Sequence, residues 1–275
     1  MRPAPVSLRR LVFTAAAGLA VAASGVVEAR AAKPRVPPGR DPGGVAVALI
    51  GSGLDYRAPD IAARLARDGE GELIGWDLAD SDRQPYSAAN DVGLPVARLL
   101  AGSRDVRLVP VRVAAGRHDQ IAAALRFAAT TPARVAVIVA DPGAGLPLAG
   151  LEGAARSFPQ MLIIVPAGRV EERLPPATRG AGLLLVSGEA RTGPSADVMV
   201  AAVETPLPRP PGGAAAEQQS DDVAALRIAA LAARLAATDP ALSGAAMGAR
   251  ILGAALPQVS GPPLIADPSG IDWRK

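Results

Sequence analysis

Val47-Ala48-Leu49-Ile50-Gly51-Ser52-Gly53-Leu54-Asp55, continued by Ala58-Pro59-Asp60-Ile61, reads as a buried strand running into a tight glycine turn and then a helix start. The run before Gly51 has no polar alternation, which fits a strand covered on both faces, the condition of a parallel sheet. Similar short apolar runs recur at 72–76, 106–112, 135–140, 162–165 and 183–187. Between them lie Ala-rich stretches with helical spacing at 59–67, 93–100, 119–129 and 148–157. Strands alternating with helices predict a doubly wound α/β fold, a parallel sheet with helices on both faces. The glycine turn also suggests a dinucleotide site, but the third glycine of G-x-G-x-x-G falls on Tyr56, where close helix packing leaves no room for a side chain.

Outward from this core, the N-terminus carries Arg2, Arg9 and Arg10, an apolar stretch over 11–27, and the small-residue site Ala29-Arg30-Ala31. That order is the order of a secretory leader, expected over residues 1–31. A retained anchor is the alternative, although 11–27 falls short of the roughly 20 residues a spanning helix needs. The protein is expected outside the cytoplasm, periplasmic or secreted, and at a membrane only if this segment stays uncleaved. Four arginines (2, 9, 10 and 30) against Glu28 give residues 1–31 a net charge of +3, equal to that of the whole chain, so the remainder is near neutral. Nothing in it forms a basic stripe interleaved with aromatics, which removes nucleic acid as a partner.

Cysteine is absent and His118 is the single histidine. Disulfides, a thiolate nucleophile and the usual zinc sites are therefore excluded, and no cofactor is expected. Residues 32–44, rich in Pro and Gly, read as a linker; 45–258 form one domain, with a long apolar helix at 222–237 and another at 244–256; 259–275 form a tail without periodicity.

The glycine-turn segment resembles the first motif of the subtilases, a strand ending Ile-Asp-Ser/Thr-Gly followed by His-Pro-Asp-Leu. The resemblance continues in order. Ile74-Gly75-Trp76-Asp77 and Asn90-Asp91-Val92-Gly93-Leu94-Pro95-Val96-Ala97 resemble the stretch into Gly-His-Gly-Thr-His-Val-Ala. Val109-Pro110-Val111-Arg112-Val113 is similar to the next strand, and Val165-Pro166-Ala167-Gly168-Arg169 to the Ala-Ala-Gly-Asn segment. Gly193-Pro194-Ser195-Ala196-Asp197-Val198 resembles the close of the last core strand, and the run from Asp222 to Leu231 the serine helix, Ser-x-Ala-Ala-Pro-x-Val-Ala-Ala-Leu. The resemblance implies a subtilisin-like fold.

Carried over position by position, the resemblance places the catalytic Asp on Gly51, the His on Val92, the nucleophilic Ser on Asp222 and the oxyanion-hole Asn on Arg169. It implies a degenerate subtilase with no catalytic residue intact, because a triad needs a nucleophile, a base in reach and a carboxylate orienting that base. It also implies a peptide groove beside Ala140, Asp141, Pro142 and Gly143, where an extended strand would add through main-chain hydrogen bonds; Pro142 removes one donor.

Other chemistry-bearing residues have plainer readings. His118 or Asp119 is expected to cap a helix start, as are Asp221 and Asp222. Arg169 could pair with Asp222 or hold a ligand carboxylate. Asp77, Asp80 and Asp82 are expected in a solvated loop rather than a calcium site. Three functions stay open: an exported pseudoprotease that binds an extended peptide, a packing module for a protein partner in the cell envelope, and a residual or atypical hydrolase of the serine-peptidase family.

Overall fold

The computed structural model describes residues 32–87, 100, 103–139, 145–171, 182–189, 196–201 and 213–273, with only the backbone over 213–219. Strands β1 (Val45–Gly51), β2 (Trp76–Asp77), β3 (Val106–Arg112), β4 (Ala133–Ile138), β5 (Leu162–Pro166), β6 (Leu183–Gly188), β7 (Val198–Val200) and β8 (Leu264–Ile265) form one sheet in the order β2-β3-β1-β4-β5-β6-β7-β8. All seven neighbouring pairs are parallel. The helices are α1 (Pro59–Ala62), α2 (Asp119–Thr130), α3 (Leu148–Ser157), α4 (Gly213–Thr238) and α5 (Gly244–Gly253). Residues 33–275 make one compact unit.

Strand alternation explains how the sheet is covered on both faces. Val47 and Leu49 of β1, Val135 and Val137 of β4, Leu162 and Ile164 of β5 and Leu184 and Val186 of β6 pack into one cluster with α4 and α5. The intervening Ala46, Ala48, Ile50, Ala136, Ile138, Ile163, Val165, Leu183 and Leu185 form a second cluster with α2 and α3. Helix α2 buries Ile121, Ala124, Leu125 and Ala128, a single stripe at helical spacing. Helix α4 is apolar nearly all round: Ala224, Ala225, Leu226, Ile228, Ala229, Leu231, Ala232, Ala233 and Leu235 are all buried, so it lies across the middle of the sheet as a core element.

Several expectations are corrected. The helix expected over 59–67 stops at Ala62, because the chain then finds better partners: Leu108 N–H donates to Arg64 O at 2.7 Å and Ala66 N–H to Leu108 O at 2.8 Å. The strand expected at 72–76 is reduced to a bridge between Arg67 and Leu73 and the two residues of β2. The aperiodic tail supplies β8, which pairs with β7 and is joined to Leu256 by hydrogen bonds of 2.8 Å in both directions at Leu264. The helix expected at 222–237 begins at Gly213. The helix expected at 93–100 lies outside the described residues but for Leu100, which is buried.

Helix α5 is capped by the Ser243 hydroxyl, which accepts from Ala246 N–H at 3.2 Å, and it enters against β5 through Gly244. A β-carbon on Gly244 would overlap the Met161 carbonyl oxygen and stand 2.9 Å from Leu162 N. These are backbone atoms at the entry to β5 and cannot rotate away. Gly244→Ala is therefore expected to destabilise the domain by about 2 kcal/mol, read as a lower urea midpoint with an unchanged slope.

Candidate functional site

The sheet reverses its winding at β1, whose neighbours are β3 on one side and β4 on the other. In open parallel sheets such a switch point opens a crevice beyond the carboxyl ends of the strands. Gly51 ends β1 there, its carbonyl accepting from Val113 N–H at 2.9 Å; a β-carbon on it would lie 3.3 Å from Val139 Cγ2. Val92, and Ala140, Asp141, Pro142 and Gly143 of the expected groove, lie outside the described residues.

Arg169 closes a short 3-10 turn, Ala167–Arg169, immediately after β5. Its backbone is pinned by Leu146, whose N–H donates to Arg169 O at 2.6 Å. From this turn the guanidinium reaches α4 as a two-pronged fork, Nε donating to Asp222 Oδ1 at 3.0 Å and Nη2 to Asp222 Oδ2 at 2.7 Å. Both side chains are buried, at 5% and 11% exposure. Charges removed this far from water require a partner, and the planar fork matches a carboxylate.

Asp221 and Asp222 do not cap a helix start, because α4 begins upstream at Gly213. Asp221 instead reaches out of the helix to a turn and a strand end. Its Oδ2 accepts from Gly168 N–H at 3.0 Å and its Oδ1 from Gly188 N–H at 2.9 Å, joining the turn after β5 and the end of β6 to α4. Gly188 permits this approach: a β-carbon there would overlap the Ser220 hydroxyl and lie 2.7 Å from the Ser220 carbonyl oxygen. Asp197 repeats the device before β7, accepting from Leu185 N–H at 2.7 Å with its carboxylate.

His118 takes the N-cap position of α2 but is helical there and makes no side-chain cap bond; Asp119 pairs with Arg117 in an exposed fork at 2.7 Å. The expected cap is thus absent. Gln120 instead accepts from Ala114 N–H at 2.9 Å.

Of Asp77, Asp80 and Asp82, expected in a solvated loop, only Asp82 keeps an exposed side chain. Asp77 is fully buried and Asp80 nearly so, and both accept from Arg112 Nη1 at 2.8 Å. Arg112 Nε donates to Ser52 O at 3.2 Å, which links this cluster to the turn after β1. Asp82 is held below the ordinary carboxylate value: burial opposes its charge, but the Gln84 N–H and the Lys33 ammonium outweigh burial. Nearby, burial and then the Asp82 charge push the Tyr56 hydroxyl up to about 12. Among the described residues no set of His, Asp or Glu side chains is arranged to hold a metal ion. The site residues that sequence reasoning missed are Asp221 as a three-way tie and Lys33 as the cation of the acidic trio; Lys33 is one of only two lysines, the one signal that could have marked it.

Solved structures similar to this chain include a cold-adapted subtilisin-like serine proteinase, at 15% identity and a TM-score of 0.57 over 85% of this chain and 92% of the other. MycP1 with its N-terminal propeptide removed matches at 18% identity and a TM-score of 0.56 over 84% and 90%. The fold is subtilisin-like. A lanthipeptide protease, at 16% identity and a TM-score of 0.55 over 80% and 83%, agrees. No protein-family model and no curated protein matches the chain. Identities this low establish the fold of the subtilisin-like domain and leave its chemistry to its own residues. No helix among the described residues is long and apolar enough to cross a membrane.

Proposed function

We propose that this subtilisin-like domain is a non-proteolytic relative of the subtilases, exported to the periplasm or beyond, which binds rather than cuts in the cell envelope. The observation that carries this reading is the buried Arg169–Asp222 fork. At the position implied for the nucleophile stands a carboxylate with both oxygens engaged by a guanidinium, and a guanidinium does not give up its proton to act as a base. Gly51 offers no side chain to orient a base and Val92 none to accept a proton. An oxyanion developing beside Asp222 would meet a like charge where catalysis requires donors.

Binding needs none of these groups. A groove beside residues 140–143 would hold an extended peptide by main-chain hydrogen bonds, with one fewer at Pro142. A protein partner seated on the same face is the related alternative.

The test is purified mature protein incubated with casein and with a fluorophosphonate that labels activated serines. Neither cleavage nor labelling is expected. Ser220, two residues before Asp222, carries the hydroxyl nearest in sequence to that position and is the one to replace. Labelling abolished by Ser220→Ala, or cleavage abolished by Asp222→Ala, would overturn the reading and establish the hydrolase.

A further inference from the structure

Residues 33–44 carry no regular secondary structure, yet they are tied to the domain at every few residues. The Lys33 ammonium donates to Asp77 Oδ2 at 2.5 Å, to both Asp82 oxygens at 3.0 Å and to Gln84 O at 2.9 Å, and lies 2.8 Å from Asp80 Oδ2. Next, Pro34 O accepts from Tyr56 Oη at 2.6 Å, and Pro37 O from Arg67 Nη2 at 2.7 Å. Val36 packs against the core between these ties. Asp41 accepts from Arg67 N–H at 2.8 Å and pairs with Arg107 at 2.7 Å. Since Asp77 and Arg112 end β2 and β3 while Arg107 lies near the start of β3, the segment runs along the strands from their carboxyl ends back to the start of β1.

The receptor for Lys33 is built by its own loop. Asp77 and Asp82 exchange backbone hydrogen bonds at 2.8 and 3.2 Å, Asp80 N–H donates to Asp77 Oδ1 at 3.0 Å, and Gln84 N–H to Asp82 Oδ1 at 2.7 Å. Ser81 takes a positive φ of 60° to close the turn, a conformation side chains adopt at a cost. Three carboxylates are thereby gathered around one point with Arg112 on one side only. A second cation at their centre is what makes the cluster tolerable, and Lys33, with its side chain 13% exposed, supplies it.

We propose that residues 33–44 are an intramolecular latch: Lys33 is the tethered cation that locks the segment following the N-terminal leader onto the carboxyl ends of β2 and β3, and through Arg112 and Ser52 it braces the turn after β1. The latch stands whether or not the domain cuts peptides.

Limited trypsin digestion of the mature chain tests it, because Arg35 is exposed and its bond to Val36 lies between the Lys33 and Arg67 ties. Lys33 precedes Pro34, a bond trypsin leaves intact, so replacing it removes no cleavage site. Lys33→Met is expected to raise the rate of cutting after Arg35 by about tenfold, since cleavage follows the population of the open segment. Lys33→Arg should keep most of the protection, and Asp82→Asn, at the exposed corner of the cluster, should raise the rate by a smaller factor. If Lys33→Met proves too unstable to assay, Asp82→Asn alone decides: faster cutting with an unchanged thermal midpoint supports the latch. Equal cutting rates in wild type, Lys33→Met and Asp82→Asn would overturn it.

Discussion

Asp221→Ala is expected to lower the stability of the domain by roughly 2–4 kcal/mol. The sign separates two accounts of the same residue. An aspartate lying idle within a helix would gain about half a kcal/mol from replacement by the better helix former alanine. Asp221, however, is fully buried and holds the N–H groups of Gly168, in the turn after β5, and of Gly188, which ends β6. Truncation would orphan the Gly188 donor away from water, at about 1–3 kcal/mol, would release the exposed Gly168 N–H to water, and would unfasten the turn after β5 and the end of β6 from the central helix. Asp221→Asn keeps one acceptor and turns an amide N–H at the second donor, so a loss of about half that size is expected. Chemical denaturation reads both. A stability change of less than about 1 kcal/mol in Asp221→Ala would show that water or neighbouring groups replace the carboxylate.

Arg169 and Asp222 give the second large effect, visible only as a cycle. Arg169→Met takes the guanidinium fork from the Asp222 carboxylate and Asp222→Leu takes the carboxylate from the fork, both where exposure is about a tenth or less. Each single change is expected to cost roughly 3–5 kcal/mol. The double variant removes both desolvated charges and fills the space with apolar atoms, so its stability should return to within about 1 kcal/mol of wild type. The coupling energy would then exceed about 2 kcal/mol, well beyond the additivity seen at independent sites. Additive losses would mean that each residue is held by its other partners and that the fork contributes little. The same double variant also bears on function: if it binds the same ligands as wild type, the pair serves the fold, and if binding is lost, the guanidinium or the carboxylate faces the ligand.

How much of this was legible in the chain differs by element. Strands β1, β3, β5 and β6 are built mainly from Val, Leu, Ile and Ala, and helices α2 and α3 carry one apolar stripe each; local pattern and tertiary environment agree there, and the expected bounds fall within a residue or two of those observed. The Arg169–Asp222 pairing could be anticipated, since the resemblance put two opposite charges at positions that share a pocket. The capping role of Asp221 and Asp222 was misjudged because the Gly/Ala/Gln run before them gives no start signal, while the helix continues back through it to Gly213. Residues 63–67 and 72–75 also misled, since their periodicity is local and their hydrogen bonds go to distant backbone at Leu108 and Ala66. The acidic trio looked solvated because sequence counts carboxylates without showing that Lys33, more than forty residues earlier, reaches their centre.

By itself, then, the sequence determined the α/β class, the alternation that buries both faces of the sheet, and the absence of thiol chemistry and of any histidine beyond His118. Each of these follows from composition or from spacing within one element. Tertiary structure alone decided which polar groups are consumed: Asp221 by a turn and a strand end, Asp222 by Arg169, and Asp77, Asp80 and Asp82 by Lys33 and Arg112. A buried charge is fixed by partners that chain order leaves far apart, and burial sets the cost of leaving it alone.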